Sequence, residues 1–94
     1  MRTYRLDPVP GTKDDPSWSR SMLRERCWVK ANSEGEARTL VIRATGKGAG
    51  KRGAEPILTS PWDDPALTTC VFDAESPVEV PEGVVVTASG DTYS

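Results

Sequence analysis

The chain contains no histidine, and after Arg52 it contains neither lysine nor arginine. The first absence removes the commonest general base and metal ligand, so acid–base or metal chemistry would have to rest on other side chains. No apolar run approaches the ~20 residues needed to cross a bilayer as a helix. The opening residues, Met1 to Asp7, lack the hydrophobic stretch of a secretory signal, and a cytoplasmic protein is the expectation. Two cysteines, Cys27 and Cys70, cannot define a disulfide framework and match no zinc spacing, and in the cytoplasm both should be reduced thiols. Only 36% of the 94 residues are hydrophobic, against eight glycines and eight prolines, which indicates one loop-rich globular domain with a single modest core.

The missing basic residues make the molecule bipolar. Residues 1–53 hold 12 basic and 6 acidic side chains, a balance of +6, while residues 54–94 hold 8 acidic and no basic ones, a balance of −8. The overall charge of −2 hides that split. Such asymmetry points to charged partners or self-association, or else to internal pairing in which Glu79 or Asp73 faces Arg24, Arg26 or Lys30 across neighbouring strands.

The local pattern predicts a strand over residues 2–6 with Tyr4 and Leu6 on one face, ended by Asp7 and Pro8. Asp15 is placed to cap a helical turn beginning at Pro16, with Trp18 and Met22 meeting on one side. Residues 24–31 alternate as a second strand, with Cys27, Val29 and Ala31 on one face and Arg26, Trp28 and Lys30 on the other. Ser33 and Glu36 form a capping box, and Ala37, Leu40, Val41 and Ala44 recur at i, i+3, i+4 and i+7, so a helix over about 34–45 follows. Glu34 and Arg38 are spaced for an i,i+4 pair, and Gly46 is placed to end the helix in a left-handed conformation. Residues 46–56 read as a flexible, basic, glycine-rich loop. Thr68–Asp73 forms a third strand, residues 84–87 add a fourth, and residues 90–94 are expected to fray.

The stretch Val29-Lys30-Ala31-Asn32-Ser33-Glu34-Gly35-Glu36-Ala37-Arg38 resembles the strand-to-helix entry of small uncharacterised bacterial α+β proteins of unknown function. The resemblance implies a helix packed on a small antiparallel sheet and carries no active-site residues with it.

Three constellations invite functional readings. The loop Gly46-Lys47-Gly48-Ala49-Gly50-Lys51-Arg52-Gly53 has too short a spacing for a Walker loop, has Arg52 where Ser or Thr is required, and follows a helix instead of opening one. Lys47, Lys51 and Arg52 can still contact phosphates, which makes weak, salt-sensitive nucleic-acid binding an alternative. Trp18 and Trp62 lie in separate Asp/Pro/Ser loops, Trp62 followed directly by Asp63 and Asp64. They fold back as lids over the core, or else stand exposed as a partner-binding group, Trp18, Trp62, Asp63 and Asp64. Cys27 follows Arg26, which would favour a thiolate, but a small buried core residue is the plainer reading, and a cysteine-dependent enzyme is the remote alternative.

The expected protein is thus one α+β domain over 1–94, with a three- or four-stranded mostly antiparallel sheet and one amphipathic helix packed on one face. Its core would include Tyr4, Leu6, Cys27, Val29, Ala37, Leu40, Val41, Ala44, Cys70 and Phe72, and Leu40→Asp should unfold it. It is expected to be a non-enzymatic interaction or accessory domain, needing no cofactor, with a protein partner, no membrane contact, and a monomeric or homodimeric state.

Overall fold

A computed structural model describes residues 1–46 and 60–94, apart from the side chain of Arg20. Over these residues it is an α+β fold of one α-helix and a five-stranded, wholly antiparallel-paired sheet. The strands are β1 (Arg2–Pro8), β2 (Cys27–Ala31), β3 (Thr68–Phe72), β4 (Val85–Thr87) and β5 (Thr92–Tyr93), and the helix α1 spans Glu34–Thr45. Their order across the sheet is β3-β1-β2-β4-β5. Since β1 is antiparallel to both β2 and β3, these two run parallel to each other on either side of it, the split arrangement that a helical crossover allows.

β1 outlasts its expected end because Pro8 needs no ladder amide where it sits. Its neighbour β2 has already stopped at Leu6↔Cys27, and Pro8 lies opposite Thr68 of β3. β5 corrects the expectation of a frayed end, since Val85 pairs with Tyr93 and Val86 with Thr92 around a turn at Gly90, whose φ of 95° suits glycine.

α1 starts where the capping pattern places it. Ser33 Oγ accepts from Glu36 N at 3.2 Å, and Glu36 Oε1 accepts from the Asn32 amide at 2.7 Å, one residue further out than the reciprocal box predicts. The other end differs. Gly46 is extended (φ −70°, ψ 148°), not left-handed, because Ser21 bridges to it and Met22 N donates to Thr45 O at 2.7 Å, drawing the chain into a short ladder.

The inner face of the sheet carries Tyr4, Leu6, Cys27, Val29, Ala31 and Val85, covered by Ala37 and Val41 of α1 together with Leu23, Trp18 and Trp62. Leu40, Ala44 and Cys70 are only partly covered, and Phe72 is 56% exposed, which corrects its assignment to the core. Phe72 shares the inner face, but β3 is an edge strand and the helix does not cover that end of it. On the outer face a second, smaller cluster forms. The connection from β3 must pass β1 and β2 to reach β4, and as it crosses, Val80 and its neighbours Val78 and Val84 pack on Trp28 and Val86.

Candidate interaction surface

Trp18 belongs to a 3₁₀ helix at Pro16–Arg20, capped by Asp15 accepting from Ser17 N, and Trp62 to another at Pro61–Asp63, capped by Ser60 accepting from Trp62 N. Both caps follow from a polar side chain two residues before the bonded amide, with proline at the first helical position. The two turns bring the indoles together edge to face, with centroids 5.6 Å apart and planes at 87°. Both rings are buried, at 1% and 0% exposure, so they close the core and offer no ring to a partner. Of the two readings the sequence allowed, this is the lid over the core, and it removes the two rings from the partner-binding group Trp18, Trp62, Asp63 and Asp64. Met22, expected beside Trp18, is instead exposed.

The rest of that group divides. Asp63 is exposed, while half-buried Asp64 turns its Oδ1 toward the Ala66 amide at 2.8 Å, and its carbonyl accepts from Leu67 N and Thr68 N. That is turn chemistry. Among the described residues no group of three or more Cys, Asp or Glu side chains is gathered as a metal cage. Lys47, Lys51 and Arg52 lie outside the described residues.

Trp62 is held by a polar network the sequence did not signal. Its Nε1 donates to the buried Ser21 Oγ at 2.9 Å, and Ser21 in turn donates to Leu23 O. Arg38, which the sequence marks only as the i,i+4 partner of Glu34, is buried. Its Nη1 donates to Trp62 O (2.8 Å) and Thr68 Oγ1 (2.9 Å) and its Nη2 to Thr68 O (3.1 Å), while Nε reaches Glu34 at 3.3 Å as the i,i+4 spacing predicted. One guanidinium thus ties α1 to the second 3₁₀ helix and to β3, using the planar donor fork that lysine lacks.

The thiols stand apart. Cys27 and Cys70 both flank Leu6 in register, on strands separated by β1, so they are two strand spacings (~10 Å) apart and cannot bridge within one molecule. Burial holds the Cys27 thiol far above its ordinary range, with Asp7 adding to the effect, and burial pushes Cys70 up to about 11. Neither is a ready thiolate near neutral pH. A pocket of about 230 Å³ opens between α1 and β4, over Val29, Leu40, Ala44 and Val85 with Arg43 at its rim. No carboxylate or thiol side chain lines it, so it holds no acid–base pair.

The charged surface is organised by strand order. The strands of the basic half, β1 and β2, lie side by side, with strands of the acidic half on both flanks. Arg5 and Arg26 converge on Asp7, and the hydrogen bond that Arg26 donates to the Asp7 carboxylate, with the charge of Asp7 itself, holds the Arg26 guanidinium above its usual range. Asp73 accepts from Trp28 Nε1 at 3.1 Å and meets Arg5 at 3.9 Å. This Arg5–Asp73 contact is an ion pair that joins the two halves. Glu75, Glu79 and Glu82, on the crossing segment after β3, are exposed. Comparison with known proteins finds no matching family model, no matching curated protein and no matching solved structure. Among the described residues no helix is long and apolar enough to cross a membrane.

Proposed function

We propose that this chain is a small non-enzymatic interaction domain of the cytoplasm. It docks a protein partner through charge, presenting Glu75, Glu79 and Glu82 to a basic segment of that partner. The observation that carries this reading is that Glu75, Glu79 and Glu82 are exposed and form no ion pair with any of the described basic side chains. The protonated, separated thiols and the pocket without an acid–base pair support a role other than catalysis.

Titration with a Lys/Arg-rich peptide tests it. At low salt the peptide should perturb the amides of residues 75–82, and the effect should fade as ionic strength rises. Replacing the three glutamates by glutamine should weaken binding by roughly tenfold, since exposed pairs are each worth under ~1 kcal/mol. Equal binding by the triple variant and the wild type sinks the proposal. The same titration with single-stranded DNA, read on Lys47, Lys51 and Arg52, separates the nucleic-acid alternative.

A further inference from the structure

β3 is an edge strand whose outer rim is open among the described residues. Asp73 N donates to Thr3 O at 2.9 Å and Val9 N to Leu67 O at 2.8 Å, so the odd-numbered residues of β3 turn their amides toward β1. By the antiparallel alternation, Thr68, Cys70 and Phe72 turn theirs away. Thr68 is already occupied, its N–H by Asp64 O at 3.0 Å and its C=O by Arg38 at 3.1 Å. That leaves Cys70 and Phe72, each with an N–H and a C=O directed at the rim. The strand also lacks the usual protections of an edge, for Thr68–Phe72 contains no charge and no proline. Apolar side chains are exposed on both faces of the sheet, Val71 at 41% on the outer face and Phe72 at 56% on the inner, where only Tyr4 and the Arg2 guanidinium approach its ring among the described aromatic and cationic groups.

We propose that this rim pairs with the same rim of a second copy of the chain, β3 against β3 about a two-fold axis through Val71. In that register Cys70 stands opposite Phe72 of the partner copy and Phe72 opposite its Cys70. The four open N–H groups and four open C=O groups of the two strands are then matched in four hydrogen bonds, and occupied Thr68 is not called upon. Val71 meets its own copy in a close non-hydrogen-bonded pair on the outer face. Phe72 covers half-buried Cys70 of the partner copy on the inner face. Thr69 falls opposite Asp73 and Leu67 opposite Glu75, so no like charges meet. Any edge with two open positions two residues apart can match itself in this way, so what favours a second copy over an unrelated segment is the side chains: this register sets exposed Val71 on Val71 and exposed Phe72 on Cys70 and opposes no like charges.

The strip buried is short compared with the ~800 Å² per partner of a standard interface, so a dimer with a dissociation constant of roughly micromolar to millimolar is expected. Sedimentation of the full chain should show a mass rising with concentration from 10.2 kDa toward twice that value. Hydrogen exchange at the Cys70 and Phe72 amides should slow in step. Val71→Lys, at a solvent-exposed site, sets two like charges on the axis and should raise the dissociation constant roughly tenfold or more while leaving melting unchanged. In a Cys70→Ser background, Val71→Cys should form a disulfide-linked dimer under mild oxidation and Thr69→Cys should not, because only residue 71 meets its own copy. A chain that stays monomeric at millimolar concentration with fast-exchanging Cys70 and Phe72 amides overturns the proposal and leaves the rim to another protein. A dimer unaffected by Val71→Lys, or cross-linked equally well through residue 69, overturns it too.

Discussion

The two faces of the sheet bury tryptophan in opposite ways. On the inner face Trp18 and Trp62 come from loops and stack edge to face; Ser21 and Arg38 hold Trp62 in a buried polar frame, while the Trp18 ring is held by packing alone, its indole N–H without a partner among the described residues. On the outer face Trp28 comes from a strand and is covered by a crossing segment rich in proline and glutamate, with its indole N–H tied to Asp73. The inner cluster joins both 3₁₀ helices, α1 and, through partly buried Cys70 and Tyr93, all five strands. The outer one joins β2 and β4 to a single segment without regular structure. Removing a contact should therefore loosen the whole fold in the first case and a local flap in the second.

The largest expected effect breaks the inner face. Val41→Asp buries an unpaired charge where exposure is nil, and in a domain of this size, with roughly 5–10 kcal/mol to lose, it should abolish the cooperative thermal transition. Leu40→Asp, one residue away, faces an open pocket from a half-buried position. It should fold and lose only about 1–2 kcal/mol, which revises the unfolding expected from periodicity alone. Equal damage from both, measured by circular dichroism melts, would show that the pocket is part of the core.

Arg38→Ala should come next, at about 3 kcal/mol, because it leaves the Trp62 and Thr68 carbonyls without their donor inside the fold. Chemical denaturation measures this directly, and a loss below about 1 kcal/mol would mean that the polar frame is replaceable. On the outer face, Trp28→Phe keeps an apolar ring and removes the bond to Asp73. A cost of about 1 kcal/mol is expected, with faster hydrogen exchange confined to residues 78–86. Global loosening in that experiment would erase the distinction between the two faces.

The smallest effect near neutral pH is titration of the thiols. Both have folded-state pKa values above the unfolded value, so the stability they contribute is complete below about pH 9 and is lost as pH rises, through about 11 for Cys70 and beyond it for Cys27. Denaturation midpoints should fall over that range, and Cys27→Ala should flatten the decline more than Cys70→Ala. Thiol reagents should label Cys70 slowly and Cys27 only on unfolding.

Much of the fold was legible because its signals are short in range. Ser33 and Glu36 mark the start of α1, Asp15 and Pro16 mark a helical turn, and the alternation through Cys27, Val29 and Ala31 chooses the inner face of β2. Where these readings failed or were silent, a distant partner intervened. Gly46 is extended because Ser21 pairs with it, Arg38 is buried because Thr68 and Trp62 meet it, and Phe72 is exposed because nothing in the described chain lies beyond β3. The candidate surface was less legible still. Loop tryptophans read alike whether they close a core or stand in water, and only packing distinguishes them.

By itself the sequence determined where elements begin, which side of each strand is apolar, and that the two charge blocks divide between the strand–helix unit and the later strands. Those properties follow from neighbours within a turn or two of backbone. The tertiary structure alone decided the strand order, and with it that the cysteines stand two strands apart, that Arg5 meets Asp73 across the charge divide, and that β3 has an open rim among the described residues. Periodicity assigns a residue to a face, but its neighbour across the sheet is fixed by which strands the whole chain can bring together around one core.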